Sequence, residues 1–250
     1  MSQVIAIDVG GTAMKCALVD AAGGIVHTER HPTGADRGPD AVVGTILDVA
    51  AGLAARAAES GTKAGAVGIV VPGVVDGRRG VAVWSANVGF REVPLRDLLS
   101  THLGLPAVLG HDVRAGGAAE ARLGAGRGYG HVLFLAIGTG IAGAHVVDGV
   151  AFAGAHGAAG EPAASAVWAE AVDALADGLH TAVTLNDPEV VVVGGGLAEA
   201  GDSLLVPLDA ALAAKLTFQR KPAMVRAALG DEAGCLGAGL LALSLVDGVG

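Results

Sequence analysis

Two cysteines in 250 residues, Cys16 and Cys235, rule out a disulfide-stapled fold and any metal centre built on four thiolates. Aromatic residues make up only 3%, so Val, Leu, Ile and Ala have to fill the core. Positive charge is also scarce: 16 Lys and Arg face 25 Asp and Glu, a formal net charge of −9. A chain of that sign is repelled by a phosphate backbone, so nucleic acid is not an expected partner. The opening Met1-Ser2-Gln3 has neither the basic region nor the apolar run of a signal peptide, and together with two unpaired thiols it points to the cytoplasm. No uninterrupted apolar stretch suits a membrane span. The best candidate, Val132 to Val147, is broken by Gly138, Gly140, Gly143 and His145, and it reads as two buried strands joined by a turn.

What is present is a plan used twice. Val4 to Ile7 is an apolar run ended by Asp8-Val9-Gly10-Gly11-Thr12; Cys16 to Val19 is a second strand, and Ile25-Val26-His27 begins a third. Asp40 to Ser60 carries apolar residues at helical spacing, Val67 to Val71 is a buried strand ended by Pro72-Gly73, Pro94 to Leu103 is a short helix, Ala107 to Gly110 a strand and Val113 to Leu123 a helix. The meander then recurs: Val132 to Ile137, the turn Gly138-Thr139-Gly140, Ile141 to Val147, the hairpin signal Asp148-Gly149, and Val150 to Phe152. A helix over Ala166 to Leu185, a strand over Val190 to Val193, a helix over Leu197 to Leu216, a strand over Met224 to Ala228 and a helix over Gly234 to Leu245 complete the second copy. Such a plan predicts two similar α/β domains, residues 1–115 and 116–250.

Three glycine-rich turns stand out. Asp8 to Lys15 delivers a carboxylate, two glycines and a hydroxyl to a strand end, parts that suit a nucleotide phosphate and its Mg²⁺; the alternative is an ordinary hairpin turn. Gly138-Thr139-Gly140 sits at the matching turn of the second meander, so two such hairpins facing across a cleft can hold one triphosphate from both sides. Gly194-Gly195-Gly196 follows a strand and precedes a helix, a place where backbone can lie against a base or ribose; a tight strand-to-helix turn is the other explanation.

These residues, in this order, resemble the ROK family (repressors, open reading frames, kinases). Asp8 to Lys15 is similar to its D-x-G-G-T-x-x-K opening, Ile69 to Gly73 to its strand before Pro-Gly, Ala86-Asn87-Val88 to its sugar-contacting Asn, and His111-Asp112 to the first half of its N-D-A-N. Gly124 to Gly128, Ile137 to Ile141, Gly154 to Glu161, Asp187 to Glu189, Gly194 to Gly196 and Gly230 to Gly239 follow in family order, and polyphosphate-using glucokinases fit further by length. The resemblance implies an α/β protein of the actin-like ATPase (ribonuclease H-like) fold and an ATP-dependent kinase for a sugar or polyol. It implies Asp112 as general base, Asp8 as the Mg²⁺ carboxylate, and Gly10, Gly11, Thr12, Lys15, Gly138, Thr139, Gly140, Gly194, Gly195 and Gly196 as ATP and phosphate contacts. It implies Gly73, Asn87, His111, Asp112 and Glu161 as sugar contacts, and a homodimer. Read without it, Asp112 is equally a helix N-cap and Glu161 a loop acid.

The chain departs from the family on the sugar side. Glu161-Pro162-Ala163-Ala164 replaces Glu-x-Gly-His, so Ala164 stands where a histidine both touches sugar and ligates zinc. The C-x-C-G-x-x-G-C zinc motif has no counterpart, the stretch from Glu161 to Asp187 is short, and His111 replaces an Asn. These losses leave open a non-catalytic sugar or nucleotide sensor, or a kinase for an unusual substrate. Only seven residues precede Asp8, which leaves no helix-turn-helix module in view. Structural zinc needs about four ligands, so protein purified without a metal-affinity tag is expected to carry no stoichiometric zinc by elemental analysis; tightly held zinc at one ion per chain would refute the expectation.

Overall fold

The computed structural model describes residues 2–137, 141–154 and 168–246. The chain opens with an antiparallel meander, β1 (Ser2–Val9), β2 (Ala13–Asp20) and β3 (Ile25–Pro32). Helix α1 (Pro39–Glu59) leads to β4 (Lys63–Val71), which lies parallel to β1. Three short strands, β5 (Val74–Asp76), β6 (Val81–Ser85) and β7 (Phe90–Val93), make a small sheet of their own before α2 (Leu95–Leu103), β8 (Ala107–His111) and α3 (Asp112–Leu123). The second half repeats the order with β9 (His131–Ile137), β10 (Ile141–Val147), β11 (Val150–Ala151), α4 (Trp168–Asn186), β12 (Val190–Gly194), α5 (Asp202–Lys215), β13 (Ala223–Arg226) and α6 (Ala233–Val246).

The two main sheets have one topology. Their orders are β3-β2-β1-β4-β8 and β11-β10-β9-β12-β13, each an antiparallel meander followed by two parallel strands. The repeat read from the sequence is the repeat of the fold. The apolar span Val132 to Val147 is the β9–β10 pair, and Asp148 and Gly149 turn the next hairpin at φ 50 and 76, the backbone that an Asp-Gly turn supplies.

Among the described residues, 2–116, 153–154 and 232–246 form one compact unit, and 117–152 and 168–231 the other. The division expected at residue 116 sends α6 with the second half, whereas α6 packs against β1, β4 and β8 of the first. Small residues explain this. A Cβ at Gly68 of β4 would collide with the carbonyl oxygen of Ala238, and one at Gly237 would collide with the Ala115 backbone. Strand β1 alternates between two layers: Ile5 and Ile7 face α1 with Met14, Leu18, Ile46 and Leu53, while Val4 and Ala6 face α6 with Ala238 and Ala242. A sheet buried on both faces reads as a continuous apolar run, as Val4 to Ile7 does. Helix α1 is long and apolar enough to cross a bilayer by length and composition, yet Val42, Ile46, Ala50, Leu53 and Ala57 are fully buried in this core.

Two further differences from the sequence reading have local causes. The small β5-β6-β7 sheet was not expected, because strands of three to five residues show too little alternation to detect. The helix expected over Leu197 to Leu216 is a short 3₁₀ turn (Gly196–Ala200) and then α5, broken at Gly201 with φ 57.

The second unit holds a buried carboxylate. Glu120 of α3 has no exposed surface, and it accepts hydrogen bonds from the N–H groups of Ala125 (2.8 Å), Ala228 (3.1 Å) and Leu229 (2.6 Å). It ties α3 to the loop that follows it and to the segment after β13. Each stranded buried donor costs about 1–3 kcal/mol, so Glu120→Ala is expected to lower unfolding stability in urea by about 3 kcal/mol or more, with Glu120→Gln losing less. A change below about 1 kcal/mol in Glu120→Ala would contradict this placement.

Candidate functional site

Parallel sheets place their chemistry at the carboxyl ends of the strands, and the first unit follows that rule. Asp8 near the end of β1 pairs in register with Val70 of β4, and Val71 pairs with His111, the last residue of β8. With strands about 4.8 Å apart, Asp8 and the His111–Asp112 pair lie on one sheet edge roughly 10 Å from each other. Lys15 is the antiparallel cross-strand partner of Asp8. On the α6 side Asp8 meets the start of that helix, where a Cβ at Gly234 would collide with its carboxylate.

The turn after Asp8 is closed by a hydrogen bond from Gly10 N–H to Ala13 O at 3.0 Å. Neither Gly10 nor Gly11 takes a left-handed φ. Their lack of a side chain is a matter of room: a Cβ on Gly10 would lie 2.9 Å from Ala13 O, and one on Gly11 3.3 Å from Asn87 Cβ. The contact brings two predicted residues together, because Asn87 sits at the tip of the β6–β7 hairpin. Gly73, at φ 99, is held beneath the same hairpin, and a side chain there would strike the Trp84 carbonyl. Thr33, just past β3, is wholly buried and donates its hydroxyl to Gly10 O at 2.6 Å and its N–H to Thr12 O at 3.0 Å.

His111 and Asp112 occupy the junction of β8 and α3. The Asp112 carboxylate is 27% exposed, and its Oδ1 accepts the Val113 N–H at 2.7 Å. His111 is buried. Its Nδ1 lies 3.3 Å from Asp112 Oδ1 and 3.4 Å from the Arg114 N–H. One ring nitrogen cannot donate to the first and accept from the second, so the tautomer selects between them. In both tautomers the ring is uncharged, since burial, aided by the Arg114 guanidinium, pushes its pKa down to about 3. The carboxylate–imidazole contact is therefore not an ion pair. Burial and the neighbouring guanidinium thus leave His111 a poor proton acceptor at neutral pH.

In the second unit, Gly194 pairs with Ala136 and Gly195 lies against the end of β9, so that a Cβ there, at φ 83, would meet Ile137 backbone at 2.5 Å. Gly194 is packed on Phe134 and Ala227. Packing accounts for these two glycines, whereas a Cβ on Gly196 would meet nothing within 4 Å. The predicted phosphate turn Gly138, Thr139 and Gly140, and the predicted sugar contact Glu161, lie outside the described residues. The sequence reading missed Thr33 and assigned no role to Gly234. Thr33 stands 21 positions beyond Thr12 in no motif, and only the antiparallel return of β3 brings it to the turn.

The sequence model of the ROK family matches residues 4–163 and 160–244. A glucokinase from Streptomyces coelicolor is 31% identical over 161 residues, covering 64% of this chain and 49% of the relative; the chain thus spans about half the length of the curated glucokinases it matches. Among solved structures, a ROK hexokinase from Thermus thermophilus superimposes with a TM-score of 0.84 at 28% identity, over 98% of this chain and 99% of that one. An inorganic polyphosphate/ATP-glucomannokinase from Arthrobacter sp. strain KM is 31% identical, with a TM-score of 0.76 over 98% and 100% of the two chains.

A depressed histidine pKa has a pH signature of definite sign. Between about 6.5 and about 3 the unfolded chain binds a proton at residue 111 that the folded chain does not, so this group's contribution to stability is lost as pH falls through that window. Nitrogen-detected NMR is expected to show the His111 ring neutral at pH 5; a titration midpoint near 6.5 would refute its burial as described.

Proposed function

The chain belongs to the ROK family and has the actin-like ATPase fold, and we propose on that premise that it is a cytoplasmic kinase that transfers the γ-phosphoryl group of ATP to a hydroxyl of a hexose or a sugar-like polyol. The observation that carries the proposal is the Asp112 junction: a carboxylate held at the end of a parallel strand, partly open, beside a buried and uncharged histidine. The resemblance to glucokinases and to a polyphosphate/ATP-glucomannokinase supports the sugar and the donor. That last relative also makes inorganic polyphosphate the rival donor.

In this reading Asp112 accepts the proton of the attacking hydroxyl as its oxygen bonds to phosphorus and the bond to the ADP oxygen breaks. A positioned base of this kind contributes about 10²–10⁴-fold. Asn87 and Gly73 bind sugar hydroxyls, with Glu161, and Gly10, Gly11, Thr12, Lys15, Gly138, Thr139 and Gly140 contact the phosphates. Gly194, Gly195 and Gly196 form the adenosine loop, where Gly196 is the position whose lack of a side chain packing does not explain. Mg²⁺ is usually held by one or two carboxylates plus the phosphates themselves. Asp8, a single carboxylate beside the turn and its exposed Thr12, fits that donor set. Bound there, the ion neutralises charge on the phosphates.

Release of ADP over a panel of sugars and polyols, with ATP or polyphosphate as donor, tests the proposal. Asp112→Asn is expected to lower kcat by about 10²–10⁴-fold while leaving nucleotide affinity within a few-fold of the parent, and His111→Ala to retain most turnover. Turnover by Asp112→Asn with loss in His111→Ala would move the base to His111. Measurable ligand binding without turnover on any acceptor would favour a sensor.

A further inference from the structure

We propose that Thr33 is a positioning residue for nucleotide phosphate, acting through the Asp8–Lys15 turn; the proposal rests on the phosphate role of that turn given above. Strand β3 runs antiparallel to β2 with Pro32 opposite Ala13, so it delivers the next residue to the tip of the β1–β2 hairpin. There Thr33 contacts both sides of the tip at once. Its hydroxyl donates to Gly10 O at 2.6 Å and its backbone N–H donates to Thr12 O at 3.0 Å. Thr33 itself is wholly buried, so both donors come from beneath the turn.

The geometry of the peptide unit turns this anchor into a functional statement. In a trans peptide the C=O and the following N–H point in opposite directions. Holding the Gly10 carbonyl toward Thr33 therefore directs the Gly11 N–H to the other side of the turn. Backbone N–H groups aimed outward from a glycine turn are what an anionic phosphate requires. The glycines remove obstruction, but they also leave this turn with the freest backbone in the hairpin. Thr33 restrains that freedom from behind and touches no phosphate itself.

Three variants separate this role from a merely structural one. Thr33→Val keeps the shape and the backbone N–H but removes the hydroxyl donor. Thr33→Ser restores the hydroxyl. Thr62→Val deletes a comparable hydroxyl-to-carbonyl bond, Thr62 to Ala57 O at 2.9 Å, in a turn remote from the site. Calorimetric titration with Mg-ATP is expected to show affinity weakened about tenfold in Thr33→Val, recovered to within about threefold in Thr33→Ser, and unchanged in Thr62→Val. Amide hydrogen exchange at Gly11 and Thr12 is expected to quicken in Thr33→Val alone. Parent-like nucleotide affinity in Thr33→Val, while Gly11→Val abolishes binding, would overturn the role of Thr33 and leave the phosphate turn standing. No Mg-ATP binding by the parent chain would overturn the phosphate turn, and the proposal with it.

Discussion

The first unit depends on how closely α6 approaches its sheet. At Gly68 the carbonyl of Ala238 occupies the space a side chain would need, and at Gly239 a Cβ would lie 2.9 Å from Val19. Contact at that range makes the interface one of backbone and methyl groups, which is why alanine and glycine can replace the large side chains that a core with so few aromatics lacks. The same approach carries the helix start onto Asp8 through Gly234. The packing of the helix and the placing of the Asp8 carboxylate are thus one geometric fact. A larger residue on this interface moves both.

Much of this was readable in the sequence, and the reasons differ by element. Buried strands such as Val4 to Ile7 and Val190 to Val193 announce themselves as apolar runs, and Asp148-Gly149 encodes its own turn. The repeat of the fold followed from the repeat of those signals. Helix α6 gave its existence but not its destination. It is apolar on nearly every side, so no stripe indicates which layer it covers, and only the small residues facing it in β4 settle the matter. The β5-β6-β7 sheet left no trace because its strands are too short to alternate visibly. Asp8 and Asp112 were legible as acids at strand ends, and the structure places them there. Thr33 and Gly234 act from distant positions in the chain, which no local pattern records.

Two of the three glycine turns turned out to have mixed reasons for their composition. Gly194 and Gly195 are required by packing against Phe134 and Ile137, so their presence alone says little about a ligand. Gly10 and Gly11 differ. Neither needs an unusual φ, and the atom nearest to where a Gly11 side chain would start is Asn87 Cβ, at a hairpin tip.

That contact also has a mechanical consequence. The hairpin bearing Asn87 is fixed at its base, where Gly73 lies under the Trp84 carbonyl, and at its tip, where Asn87 rests on Gly11. The turn bearing Gly11 is fixed in turn by Thr33 and by its own Gly10–Ala13 bond. No loop in this chain of contacts can shift alone: displacing Asn87 presses on Gly11, and reorienting Gly11 disturbs the bond to Thr33. If Asn87 binds the acceptor and the turn binds the donor, the two substrates meet on a surface whose parts are set by one another rather than by separate loops. Phosphoryl transfer is governed mainly by positioning and charge. A site built this way obtains its positioning from the carboxyl edge of β1, β4 and β8, with the small sheet as the strut that holds Asn87 against it.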